Sequence, residues 1–187
     1  MKPQALGYAS LAGTVALLWL SGIPAAHADD FRCTGAVGAS TVDNLIVPDG
    51  ASCQLNGTVV QGNLKVGRGA SLQASGIRVE GNIQAEGAAA VTTSNSRVGG
   101  NIQIKQGGSA PILSVIIDGD LQFEENRGAL NATANDVEGN LQAWKNRGGL
   151  TLTNNLIREN LQCKENSPAP SGGGNQAGDK EDPCASL

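Results

Sequence analysis

The side chains best suited to chemistry in this sequence are carboxylates that recur at one position. Glu80, Asp118 and Glu138 each stand immediately before a glycine, and Arg78, Arg97, Lys145, Arg147 and Arg158 supply basic neighbours. A carboxylate acting as general base, beside an arginine that stabilises an anion, is an arrangement suited to cleaving polysaccharides. The plainer reading is a solvated face whose charges keep the chain soluble. The carboxylates are spread along the chain, and the aromatic platforms that hold sugars are almost missing.

Other chemistry lacks its residues. His27 is the only histidine, and it falls in a segment that reads as a secretory signal. Lys2 gives that segment its positive start, Ala5 to Leu20 a mostly apolar core, and Ala26-His27-Ala28 a small-x-small cleavage pattern, so cleavage is expected before Asp29. No cysteine precedes the cut, so a lipid anchor is not indicated. Tyr8 and Trp19 leave with the signal, so the mature aromatic residues are Phe31, Phe123 and Trp144. Without histidine, a Ser-His or Cys-His nucleophile and a His-ligated metal are excluded from the mature chain. No cysteines are spaced C-x-x-C, and Gly172-Gly173-Gly174 is followed by Asn175 rather than by the Lys-Ser/Thr of a phosphate loop. No cofactor and no metal is expected. Loss of Lys2 takes the formal net charge from −4 to −5. That balance gives no reason to expect nucleic acid or an anionic membrane as partner.

The elements that would position these residues come from an internal repeat. Val-x-Gly-Asn-Leu/Ile-x recurs with its Asn or Asp at 63, 82, 101, 120, 140 and 160, in steps of 19, 19, 19, 20 and 20. Asp43-Asn44-Leu45-Ile46-Val47 is a degenerate copy 19 residues before the first. The period is too short for a helical hairpin repeat. Within each copy apolar and polar residues alternate, as in Leu64-Lys65-Val66, which is the pattern of a strand with one buried face. A second apolar cluster follows in several copies, as in Leu72-Gln73-Ala74, Val91-Thr92-Thr93 and Leu150-Thr151-Leu152. Strand, turn, strand, turn at a fixed period predicts an all-β, single-stranded parallel β-helix of 19–20 residues per coil. The right-handed form is favoured, because the six-residue sub-repeat of the left-handed form is missing. The expected organisation is a signal over 1–28, a solenoid over 29–166 and a low-complexity tail over 167–187.

Residues one period apart should stack about 4.8 Å apart along the axis. Three inward columns follow: Leu64, Ile83, Ile102, Leu121, Leu141, Leu161; Val66, Ala85, Ile104, Phe123, Ala143, Cys163; and Val60, Val79, Val98, Ile117, Val137, Ile157. Gly62, Gly81, Gly100, Gly119 and Gly139 mark a bend, needing either positive φ or close approach to the next coil. Asn63, Asn82, Asn101, Asp120, Asn140 and Asn160 are expected to form a structural corner ladder of stacked amides. Beside it, Lys65, Gln84, Gln103, Gln122, Gln142 and Gln162 form an outward polar stripe, the candidate interaction surface. Trp144 is a possible stacking residue, though packing over the neighbouring coil near Phe123 is the plainer role. Glu125-Asn126-Arg127-Gly128, Lys145-Asn146-Arg147-Gly148 and Lys164-Glu165-Asn166 should stack as tight turns.

Four cysteines in an exported chain read as two disulfides. Cys33 precedes Cys53 by 20 residues, about one coil, and Cys53 aligns with the inward Leu72. Cys163 lies in an inward column of the last coil, and Cys184 follows it by 21 residues. The predicted bonds are Cys33–Cys53 and Cys163–Cys184, each tying one end of the solenoid and blunting end-to-end association.

The Val-x-Gly-Asn-Ile/Leu-Gln repeat resembles a group of uncharacterised secreted bacterial β-solenoid proteins. So do the opening Phe31-Arg32-Cys33-Thr34-Gly35, the segment Val47-Pro48-Asp49-Gly50-Ala51-Ser52-Cys53 and the closing Asn160-Leu161-Gln162-Cys163-Lys164-Glu165-Asn166. The resemblance covers essentially the whole mature chain and implies a parallel β-helix without a stated activity. More distantly, the repeat is similar to bactofilins, polymer-forming β-helices of the bacterial cytoskeleton. The signal segment and the terminal cysteines depart from that group, and no functional residue carries over. The sequence thus points to a secreted, non-enzymatic structural or surface-binding protein, extracellular or periplasmic, whose partner would be a glycan, a cell-surface protein or itself. The alternative is a small carbohydrate-active enzyme or glycan-binding module on the same fold.

Overall fold

The computed structural model describes residues 30–181 and 183–187, so the expected signal and its cleavage site lie outside the described residues. Every regular element among the described residues is a strand. The strands form three parallel sheets of nine, eight and seven strands. Asp30–Arg32 opens the first sheet, Ala36–Val37 the second and Thr41–Val42 the third, and Asn44–Val47 returns to the first beside Asp30–Arg32. This order repeats along the chain, and the nine strands of the first sheet bound eight turns of a β-solenoid.

Each coil therefore has three sides, one more than apolar alternation suggests. The third sheet is made of two-residue strands such as Val59–Val60, Arg78–Val79 and Arg97–Val98. Two residues are too few to display a period. The other two sheets show it plainly: Leu64 and Val66 are buried while Lys65 between them is exposed, and Leu72 and Ala74 are buried while Gln73 is exposed. Register is strict. Leu64, Ile83, Ile102, Leu121, Leu141 and Leu161 pair in turn, and all six are fully buried. The column beside it packs by size: Phe123, fully buried, is followed one coil on by Ala143. A narrow core of aliphatic ladders needs few aromatics, which accounts for the composition.

The glycines before the corner asparagines owe their place to crowding, not to positive φ. None of Gly62, Gly81, Gly100, Gly119 or Gly139 is in the left-handed region. A Cβ on Gly119 would stand 2.1 Å from Asn101 Oδ1, and one on Gly81 would stand 2.7 Å from both Asn63 Oδ1 and the Gly62 carbonyl oxygen. The last copy carries Glu159 there. Its amide reaches the Gly139 carbonyl at 3.3 Å, against 3.0 Å at Gly81 and Gly100.

The solenoid does not stop at residue 166. Ser171–Gly173 pairs with the second-sheet strand Leu150–Thr153, Gln176 bridges to Leu156 of the third sheet, and Asp179–Lys180 pairs with Asn160–Leu161 of the first. The low-complexity segment is a further coil that uses glycine where earlier coils use aliphatic side chains. A Cβ on Gly172 would overlap the Leu152 backbone. Both expected disulfides are present, Cys33–Cys53 and Cys163–Cys184, with Cα atoms 5.6 Å apart in each. Two buried disulfides point to an oxidising compartment.

Candidate functional site

The outward stripe of the first sheet is a hydrogen-bonded row rather than a set of free amides. Gln103 Nε2 donates to Gln122 Oε1 at 3.1 Å, Gln122 to Gln142 at 3.0 Å and Gln142 to Gln162 at 2.7 Å. Gln162 completes the row by donating to Glu181 Oε1. All donate in the same direction along the axis. Lys65 and Gln84 extend the stripe and are more exposed. Each amide in the row keeps a second N–H and a second lone pair, so the face offers donors and acceptors at a fixed repeat.

The carboxylates with catalytic potential, Glu80, Asp118 and Glu138, each directly follow a strand of the third sheet, where arginines engage them. Arg78 Nε is 2.6 Å from Glu80 Oε1, and Arg97 donates to both oxygens of Asp118 at 2.8 Å. Arg158 stands 3.5 Å from Glu138 and 3.4 Å from Asp136. The hydrogen bond from Arg78 holds the Glu80 carboxyl below its ordinary value, and the same bond raises Arg78. A carboxylate held in its charged form by an arginine is a weak base and a poor proton donor.

Two further asparagine ladders occupy the other corners. At the corner between the first and second sheets, Asn126 Nδ2 donates to the Ile104 carbonyl and to Asn146 Oδ1, and Asn146 Nδ2 donates to the Phe123 carbonyl and to Asn166 Oδ1, at 2.8–3.0 Å. Between the second and third sheets, Asn135, Asn155 and Asn175 repeat the scheme, with amide donors to the Ile112, Ala132 and Leu152 carbonyls. At the third corner the expected ladder of Asn63 to Asn160 is present and extends back to Asn44, each Oδ1 accepting the backbone N–H of the next member, at 3.0 Å for Asn63 and 2.7 Å for Asn140. Asp120 fits there because this accepting role needs only an oxygen.

The stacked loops at the first corner thus differ from simple Asn-x-Gly turns. The left-handed residue is the one before each asparagine: Glu125, Lys145 and Glu165 all have φ of 55°. Gly128 and Gly148 are required by contact instead, since a Cβ on Gly128 would stand 2.3 Å from the Gly108 carbonyl carbon. With the asparagines turned inward, Arg127 and Arg147 flank a groove of about 490 Å³ together with Arg68, Lys145, Glu86 and Glu125. Trp144 ends the strand Leu141–Trp144 on the outward face and is 38% exposed. It does not pack on Phe123, whose side chain is inside the coil. It lines an adjoining groove of about 630 Å³, and Lys145 borders both grooves.

No family model matches the chain, and neither a curated protein nor a solved structure does. Sequence reasoning missed the inner ladders and the row of cations. The signal was present: asparagine recurs at 126, 146 and 166 and again at 135, 155 and 175, each in steps of 20.

Proposed function

We propose that this chain is a secreted, non-enzymatic binding or structural protein that presents the flat first-sheet face as a contact surface. The observation that carries this reading is the unidirectional Gln row from Gln103 to Gln162, which repeats one pair of hydrogen-bonding groups at each coil. A rigid array of that kind suits a partner that is itself repetitive, such as a glycan, or a second copy of the same face. The disulfides fit an extracytoplasmic location, and the ion-paired state of Glu80 and Asp118 suits a solvated face better than a catalytic one.

The test is a panel of glycans and cell surfaces presented to the oxidised chain, with light scattering on the same sample. The expected result is specific binding or self-association that falls in the triple variant Gln103→Thr, Gln122→Thr, Gln142→Thr, whose strand propensity is preserved. Glycan turnover that disappears in Glu80→Ala or Asp118→Ala would replace this reading with an enzymatic one.

A further inference from the structure

The cations among the described residues fall into those paired with a carboxylate, those gathered in one groove, and a scattered remainder (Arg32, Lys65, Lys164 and Lys180). Arg78, Arg97, Lys105 and Arg158 each have a carboxylate at ion-pair distance. Arg68, Arg127, Lys145 and Arg147 have none among the described residues, and all four line the groove at the first corner. Arg127 and Arg147 hold equivalent places one coil apart, so their backbones are separated by about 4.8 Å. Like charges stacked at that spacing repel one another, and an anion between them would relieve the repulsion. Their backbone is fixed, because each follows an asparagine locked into the buried ladder. Lys145 also lines the neighbouring groove that exposes Trp144.

We propose that this corner binds an acidic polysaccharide lying along the solenoid axis. Carboxylate or sulfate groups meet Arg127, Lys145 and Arg147, and a sugar ring stacks on Trp144. The chemistry favours a narrow glycan over other polyanions. A flat anionic bilayer would meet Glu86 and Glu125 together with the cations, whereas a single glycan chain can seat its anionic groups on the cations and turn neutral hydroxyls to the two carboxylates. A single exposed indole does not supply the succession of platforms that single-stranded nucleic acid uses. The formal net charge of −4 weakens non-specific attraction, so affinity must come from this local set. The proposal rests on the reading of the chain as a binding protein, but not on the Gln row being the contact face.

The experiment measures binding of the oxidised full chain to polygalacturonate, heparin, neutral dextran, single-stranded DNA and phosphatidylserine vesicles at low and moderate salt. Binding to polygalacturonate or heparin and not to dextran is expected, and the preferred one distinguishes carboxylate from sulfate. Arg127→Gln with Arg147→Gln should weaken binding by about tenfold or more, and Trp144→Ala by several-fold. The charge-matched control Arg78→Gln with Arg97→Gln should leave it within about twofold, because those arginines are already neutralised. The Gln103→Thr, Gln122→Thr, Gln142→Thr variant should bind these polyanions as the parent does, so failure of the Gln-face reading is seen separately. The proposal is overturned if neither acidic glycan binds, if the Arg127/Arg147 variant with parent-like strand spectra binds as well as the parent, or if DNA or vesicles bind more tightly than both glycans.

Discussion

In the coils up to Ile117, the inner corner between the second and third sheets is filled by Thr58, Ile77, Ser96 and Val115, and the other inner corner by Ala88 and Gly107. In the coils after Asp120, the same positions hold Asn135, Asn155 and Asn175, and Asn126, Asn146 and Asn166. The turn residues change in parallel. The left-handed position ahead of the first of these corners is Gly57 and Gly76 early, then Asn95 and Ser114, then Ala134 and Asn154. The earliest coils bend there because glycine permits it, Asn95 and Ser114 take φ of 48° and 55° ahead of Ser96 and Val115, and all these corners close with apolar or hydroxyl side chains. A later coil bends with ordinary residues at φ near 55°, held there by an amide that satisfies the backbone groups around it. Left-handed strain of roughly 1 kcal/mol per residue is within what such a network can offset. The later period of 20 adds one residue at the first corner: Glu124 follows Lys105 by 19, whereas Leu130 follows Ala110 by 20. That longer loop turns an asparagine inward and an arginine outward, so the lengthened coil carries both the ladder and the row of cations.

The largest effect should come from breaking a ladder. Asn155→Leu removes the acceptor of the Asn135 N–H and the donor to the Ala132 carbonyl, and should cost roughly 3–5 kcal/mol in denaturant unfolding. At the matching early position, Ile77→Val should cost only about 1 kcal/mol. Removing either disulfide by paired Cys→Ser changes should cost roughly 3 kcal/mol, since each closes a loop of similar length. Hydrogen exchange should place the damage differently: the glycine-rich coil after Ser167 detaches without Cys163–Cys184, while loss of Cys33–Cys53 loosens only the first coils. The glycine contrast is sharper still. Gly76→Ala should destabilise by about 1 kcal/mol and Ala134→Gly, at the equivalent turn, should stabilise by up to about 1 kcal/mol. Val115→Asn would extend the late ladder one coil earlier and should change stability by less than about 1 kcal/mol, because Asn135 already receives the Val115 amide. The smallest effect concerns the exposed Arg78–Glu80 pair. Its carboxyl is depressed in the folded protein, so the pair contributes above the unfolded carboxylate value and the contribution is lost as pH falls through the lower folded one. Glu80→Gln should abolish that slight dependence when unfolding midpoints at acid and neutral pH are compared.

Much of this was legible in the residues. The Asn spacing, the alternation in Leu64-Lys65-Val66 and the 20- and 21-residue cysteine intervals lead to a parallel coil with tied ends, because stacking turns a period directly into contacts. The third sheet was hidden because strands such as Arg78–Val79 are too short to alternate. The last coil was hidden because Ser171-Gly172-Gly173 carries no apolar signal, although its backbone pairs in register with Thr151–Thr153. Asn126 and Asn146 read as turn formers because asparagine is common in turns. Only three-dimensional closure shows that their amides turn inward, and only then does the outward placement of Arg127 and Arg147 become visible.

The most direct test of this account is native-state hydrogen exchange of the oxidised chain, resolved to single backbone amides. Gly107, Val115, Asn126 and Asn135 donate their backbone N–H to asparagine Oδ1 atoms rather than to backbone carbonyls. The ladders predict that these corner amides exchange as slowly as those of the flanking strands, and that Asn155→Leu selectively releases Asn135. Exchange of all four at the rate of exposed turns would contradict the account.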